Sequence, residues 1–343
     1  MSKNFDIIHG NPSQCLFAMV LPMMAAMFLN MAYNLVDSLW IGNLLGESAY
    51  AALTAATPIL LLLNSIAMGA TNGVAILLSQ AIGAGETRRT RTILFTSFIL
   101  SIVFSLGMTG LLEGMVSPLL RFLQVPSELY EMTCLYLRIY LIGYGAVYLY
   151  CYFAAVLRSF GDTVFQMLAM LVCTVLNGAL DPLLIHGFGL QGAAAATVLP
   201  QGICLGFMVC YLRKKALFSF HAADWSGKEL GTICLKSLPA AFQQSIPAIS
   251  TSVLTAIVSG FGVTALAAYG VAGKLELLLF YPAMSFQMVL TTIVGQCIGA
   301  GRRDRAWVYC KTALLWGGGL LIILSCGVVG YAIIHGDEFS CLE

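Results

Sequence analysis

Gln80-Ala81-Ile82-Gly83-Ala84-Gly85 recurs 216 residues on (80 to 296) as Gln296-Cys297-Ile298-Gly299-Ala300-Gly301, and a basic stretch follows each copy, Arg88-Arg89 in one case and Arg302-Arg303 in the other. The same offset carries Gly46, Ala49, Ala51 and Ala52 onto Gly262, Ala265, Ala267 and Ala268, and Arg89 onto Arg305. With one further residue, Leu21-Pro22 falls on Leu238-Pro239. Ungapped spacing over two segments and a loop marks an internal duplication rather than two Gly/Ala-rich stretches that look alike.

Working outward, the chain has 343 residues, 59% of them hydrophobic and only 10% charged, with a mean hydropathy of +0.88. Soluble domains carry about a quarter charged residues, so this composition predicts a polytopic membrane protein. A spanning helix takes about 20 apolar residues, and nine segments qualify: 14–38, 51–80, 92–116, 131–156, 164–185, 190–212, 235–259, 265–297 and 306–334. Short glycine-bearing links, Ile41 to Gly46 and His186 to Gly192, join some of them. With the N-terminus in the cytoplasm, Lys3, the Arg88 and Arg302 loops, Arg158 and the Arg213–Lys236 link place 14 of the 17 Lys and Arg inside. That bias follows the positive-inside rule, and Glu47, Glu128 and the tail residues Asp337 and Glu338 fall outside.

The first copy of the duplication holds six segments, an even number, so both copies run the same way through the membrane. Parallel repeats of this kind are a transporter architecture. A full second copy would reach residue ~430, whereas Glu343 corresponds to Ser127. The expectation is an all-α, polytopic membrane protein: a six-helix lobe (12–215), a cytoplasmic linker (216–234) and the first three helices (235–334) of a parallel repeat of that lobe.

Other classes are disfavoured. The 11 cysteines are scattered through apolar stretches without a CxxC pair, and the four histidines form no metal motif. No basic stripe interleaved with aromatics suggests nucleic acid. Gly273-Lys274 is followed by Leu275, so no Walker A site is present. With no nucleophile–base constellation either, the expectation is a protein that is not an enzyme and needs no cofactor. It would work in the bilayer on an ion gradient or through a partner ATPase. The apolar run from Cys15 reads as a retained first helix, not a cleaved signal.

Two polar sets stand out against this background. Asn30, Tyr33, Asn34 and Asp37 fall at i, i+3, i+4 and i+7 of the first segment and share one helical arc. Asn177 and Asp181 fall at i and i+4 of the fifth. A carboxylate in such a segment is costly unless it meets a cation, a proton or water. The residues alone leave two readings open: a solvated outer helix end for Asp37 and a helix-end signal for Asp181-Pro182, or ion sites facing a protein-lined cavity. Pro22, Pro58, Pro200, Pro239, Pro247 and Pro282 lie inside spans and can kink them. Met284, Gln287, Met288 and Thr291 share a face of the eighth segment. With Asn34 and Gln244 they are candidates for a soft substrate cavity, ordinary packing being the commoner cause.

At this point the chain resembles the multidrug and toxic compound extrusion (MATE) family. The resemblance rests on Pro22 with Asn34 and Asp37; Gly42 and Gly46; Gln80–Gly85; and Arg158, Gly161 and Asp162. Asn177, Asp181 and Pro182, then Gly192–Ala194 and Ala267–Gln296 continue it. It implies a cation-coupled antiporter of the cell membrane that exports amphipathic organic compounds in exchange for Na⁺ or H⁺. It also implies a coupling site made of Asp37, Tyr33, Asn177, Asp181 and Thr197, with any Na⁺ at Asp37 and Asp181, and a first-helix hinge at Pro22. Some branches use a glutamate in the seventh helix, where this chain has Gln243 and Gln244; that favours coupling in the first lobe. The alternatives are a flippase for lipid-linked oligosaccharides, from a related architecture, and a truncated fragment that does not transport.

Overall fold

The computed structural model describes residues 6–123, 125–215, 224–259, 261 and 263–334. Among these the chain is helical, without strands, and forms nine helices: α1 (Pro12–Leu45), α2 (Glu47–Gly83), α3 (Thr87–Phe122), α4 (Ser127–Ser159), α5 (Thr163–Phe188), α6 (Leu190–Lys214), α7 (Gly227–Ser259), α8 (Val263–Gly299) and α9 (Arg303–Ile334). In lipid the backbone must satisfy its own hydrogen bonds, which is why apolar runs of this length become helices. On the described residues, α1–α6 and α9 are long and apolar enough to span.

The helices overrun the apolar windows at both ends, and the links shrink. Gly42–Leu45 is the last turn of α1, leaving Gly46 as the link to α2, and His186–Phe188 belongs to α5, leaving Gly189. Pro182 therefore lies inside α5 rather than at its end. Residues 227–234 of the expected linker are the first turns of α7, and Ile233 packs in a buried cluster with Leu212. Residues 216–223 of that linker, Lys3, Asp337 and Glu338 lie outside the described residues, as does the side chain of Lys274.

The duplication is reproduced hydrogen bond by hydrogen bond. Ala84 N–H donates to Gln80 O at 2.9 Å and Gly85 N–H to Ile82 O at 3.0 Å; Ala300 and Gly301 make the same bonds to Gln296 and Ile298, both at 3.0 Å. Gly85 and Gly301 both end their helices at positive φ, 70° and 72°, a conformation that side chains with a Cβ adopt poorly. α2 and α8 cross just before these turns. A Cβ on Gly83 would run into the Gln296 backbone, and one on Gly299 into the Gln80 backbone. Because 80 and 296, and 83 and 299, are equivalent positions, the two halves meet here about a local two-fold axis.

α2 packs against α3, α4, α7 and α8, and α1 against α5 and α8. The interior of the first lobe is filled by tyrosines from α4 at every fourth position: Tyr136, Tyr140, Tyr144, Tyr148 and Tyr152 are all buried. Their hydroxyls are anchored where the neighbouring backbone offers an acceptor. Tyr144 donates to Leu63 O at 3.0 Å and Tyr152 to Leu94 O at 2.8 Å. Removing one such bond costs about 1 kcal/mol. Tyr152→Phe should therefore lower the thermal midpoint of the purified protein slightly while leaving its helix content unchanged. The same hydroxyl also meets Ser97 Oγ at 3.0 Å, so a drop of many degrees would mean that it holds more than these two bonds. Outside, large apolar side chains such as Leu106, Ile142, Leu314 and Ile323 are exposed, as a lipid-facing surface requires.

Candidate functional site

The polar arc of α1 divides when the helix is packed. Tyr33 and Asp37 turn inward and are buried, whereas Asn30 and Asn34 are exposed. Asn34 satisfies itself along the helix by donating from Nδ2 to Asn30 O at 2.7 Å. The buried pair meets α5 and α6. Asp37 is 8% exposed, Thr197 is 9% exposed, and Asn177 and Asp181 are fully buried. The two carboxylates are near enough to feel each other's charge.

Each donor in this cluster is already used by the protein. Tyr33 Oη donates to Thr197 O at 2.8 Å, and Thr197 Oγ1 to Ala193 O at 3.0 Å. Asn177 Nδ2 serves both Asp181 Oδ1 (3.1 Å) and Ala196 O (3.2 Å). What remains is acceptor oxygen: Asp37 Oδ1, Asp181 Oδ2 and Asn177 Oδ1 are all sealed from solvent and without a partner. The hydroxyl oxygens of Tyr33 and Thr197 keep lone pairs as well. No Lys, Arg or His forms an ion pair with either carboxylate among the described residues. Two buried carboxylates with spare lone pairs and no cation are unfavourable by several kcal/mol; a proton or a hard cation held by oxygens removes that cost. No group of three or more His, Cys, Asp or Glu converges among the described residues, so the cluster is two carboxylates plus neutral oxygens.

Tyr136 of α4 belongs beside this set and was not anticipated. It is buried on α4, which packs against the α6 that carries Thr197, and it lies within the field of Asp37 and Asp181. Its only signal in the sequence is that it begins the every-fourth-residue tyrosine series. Pro22 sits inside α1, which continues through it. Of the cavity candidates, Gln244, Met284, Gln287 and Met288 line one pocket together with Met68 and Asn72 of α2, and Asn34 is not among its lining residues. Arg158, grouped above with the inside loops, is instead buried in the last turn of α4.

Fold and cluster together define a multi-pass helical membrane protein built from a duplicated unit, with an all-oxygen polar cluster inside one lobe. The chain belongs to the MatE family, whose sequence profile matches residues 22–183 and 239–333. It is 29% identical over 306 residues to the probable multidrug resistance protein YpnP of Bacillus subtilis, a match spanning 88% of this chain and 69% of that one. It is 28% identical over 329 residues to the FAD transporter of Shewanella oneidensis, spanning 92% and 71%. Among solved structures, the outward-facing conformation of a multidrug resistance MATE family transporter superposes with a TM-score of 0.87 at 25% identity, covering 97% of this chain and 74% of the other. A MOP superfamily transporter from Pyrococcus furiosus does so with 0.88 at 24% identity, covering 100% and 76%.

Proposed function

We propose that this protein is a cation-coupled antiporter that exports amphipathic organic compounds across the cell membrane, with its N-terminus in the cytoplasm. In this reading residues 12–215 are the ion-binding lobe, 216–234 the link, and 235–334 the part of the second lobe that closes the substrate pocket against α2. Asp37 and Asp181 share the coupling Na⁺ or H⁺, Tyr33, Asn177 and Thr197 add neutral oxygens, and Pro22 is the point at which α1 bends as the ion enters. The observation that carries the reading is the set of buried acceptors Asp37 Oδ1, Asp181 Oδ2 and Asn177 Oδ1, which no donor reaches among the described residues. The multidrug and FAD transporters among its relatives support an organic cargo. Coupling follows if ion and cargo stabilise different lobe arrangements, since each then displaces the other's state.

The test is ion-driven dye efflux from energised vesicles. Asp37→Asn keeps the shape but removes the charge that the ion neutralises, so efflux should fall at least about tenfold, the equivalent of 1.4 kcal/mol of coupling. Unchanged efflux in a correctly inserted Asp37→Asn protein would take Asp37 out of the mechanism.

A further inference from the structure

At the end of the bundle that carries the Gly85 turn, the start of α3 and the start of α7 enclose a cleft of about 600 Å³, within the range of about 300–1,000 Å³ that holds small ligands. Its walls are tied together from both halves of the chain. Ser226 N–H, just before α7, donates to Thr96 Oγ1 of α3 at 3.3 Å, and Arg89 Nε of α3 meets Glu229 Oε1 of α7 at 3.0 Å. Arg89 Nη1 also lies 3.5 Å from Glu86 Oε2, so this guanidinium is committed to the protein's own acids.

Two charges of the lining are left over. Arg88 of α3 and Asp224, ahead of α7, both line the cleft, and neither forms an ion pair among the described residues. They have opposite signs and stand further apart than a direct pair. A plain anion in the cleft would face Asp224 and Glu86, and a plain cation would face Arg88. A ligand that carries both signs satisfies both walls.

The surroundings say where such a ligand comes from. Arg88, Thr92, Phe95, Ile99, Val103 and Leu106 follow at steps of three and four and share one face of α3. On that face Phe95 and Ile99 are half-buried, and Val103 and Leu106 are exposed. The face therefore runs from the cleft onto the lipid-facing surface of the bundle. Trp225, also in the lining, is exposed; an indole, apolar with one N–H donor, suits the membrane–water interface.

We propose that this cleft holds the headgroup of a zwitterionic phospholipid with a primary ammonium, of the phosphatidylethanolamine kind. The phosphate lies against Arg88 and the Thr87 hydroxyl, the ammonium against Asp224 and Glu86, and the acyl chains along the Val103 and Leu106 face of α3. A primary ammonium donates charge-assisted hydrogen bonds to the two carboxylates, whereas a choline headgroup has no N–H to give. One bound lipid then braces the first lobe against the start of α7. The site requires insertion in a bilayer and is independent of the export reading.

The test is native mass spectrometry of the delipidated full chain titrated with dioleoyl phosphatidylethanolamine, phosphatidylcholine and phosphatidylglycerol. The wild type should hold the ethanolamine lipid at least about threefold more tightly than either of the others. Asp224→Asn removes a partner of the ammonium and should erase that preference, with phosphatidylglycerol bound as well or better. Arg88→Gln removes the partner of the phosphate and should weaken all three lipids. Neither side chain is in an ion pair within the protein, so both variants should fold. O-Phosphoethanolamine, the same headgroup without chains, should displace the lipid only at concentrations at least about a hundredfold higher, because it buries no acyl surface. No preference for the ethanolamine lipid, a preference that survives Asp224→Asn, or unchanged retention in Arg88→Gln would overturn the proposal. Displacement by O-phosphoethanolamine at a concentration equal to that of the lipid would overturn it too, by showing that the cleft reads a free zwitterionic phosphate.

Discussion

Replacing Gly83 by leucine is expected to part α2 from α8 at the end of the bundle that carries the Gly85 and Gly301 turns. At Gly83 an added Cβ meets the backbone of Gln296, and at Gly299 the backbone of Gln80. Backbone atoms inside a helix cannot swing aside as a side chain does, so the helices themselves must separate. Overpacking of this kind costs about 1–3 kcal/mol, and here the cost falls on the arrangement in which the two halves touch. Cys297, fully buried on α8 beside this crossing, reports the change. In a background without other cysteines, Cys297 should be protected from a hydrophilic maleimide in the wild type and labelled at least about tenfold faster in Gly83→Leu, as expected when a local opening becomes populated.

The local two-fold makes a second demand. Gly299→Leu should expose Cys297 to a similar degree, and the double variant should add little, because both side chains compete for one gap. Gly110→Leu is the control: a Cβ there meets open space, so labelling should stay at the wild-type level. Continued protection of Cys297 in a folded Gly83→Leu protein would show that this crossing does not hold the end closed. If the export reading is right, the same variants should alter the balance of lobe arrangements without touching any group that binds ion or cargo, since the glycines act only through how closely two helices approach.

Much of this architecture was legible because duplication and hydropathy are properties of the chain itself. The Gln80–Gly85 and Gln296–Gly301 copies predicted two equivalent turns, and the turns have the same bonds and the same positive-φ glycine. Helix ends were less legible. Thr87–Arg91 and Ser117–Arg121 are too polar, or too close to a proline, to look like a span, yet they are helical, because a helix longer than the bilayer is thick carries its hydrogen bonding past the interface. At the cluster, the i, i+4 spacing of Asn177 and Asp181 announced their local bond, but the contact of Tyr33 with Thr197, 164 residues away, has no trace in spacing. Tyr136 was overlooked for the opposite reason: it is one of five similar tyrosines, and only packing shows that it is the one beside the carboxylates. Arg158 read as a topology determinant because sequence gives charge and position but not burial.

Sodium is expected to raise the melting temperature of the wild-type protein and to leave that of Asp37→Asn unchanged. An ion that binds only the folded state stabilises it by RT ln(1 + [L]/Kd), about 2.7 kcal/mol at a hundredfold excess over Kd, which for a chain of this size is a shift of a few degrees. The comparison must be made against potassium or choline at equal ionic strength, since salt alone screens the exposed pairs, such as Arg89 with Glu229 at 3.0 Å. If the coupling species is the proton, sodium will have no specific effect, and the wild type will instead gain stability on acidification as the proton fills the site in the native state. That gain too should be blunted in Asp37→Asn. The variant carries a second, opposite signature. Without any ion, the wild type holds two buried carboxylates whose outer oxygens are unpaired; asparagine at position 37 removes one of the two like charges at nearly constant volume. The ion-free variant should therefore be at least as stable as the ion-free wild type, even as its ion-driven efflux is expected to fall. A melting temperature that responds to neither sodium nor pH would show that the folded protein binds no such ion, and an Asp37→Asn protein that keeps the full response would place the ion elsewhere in the molecule. Loss of stability in the ion-free variant would show that Asp37 is held by a structural partner and not reserved for a cation.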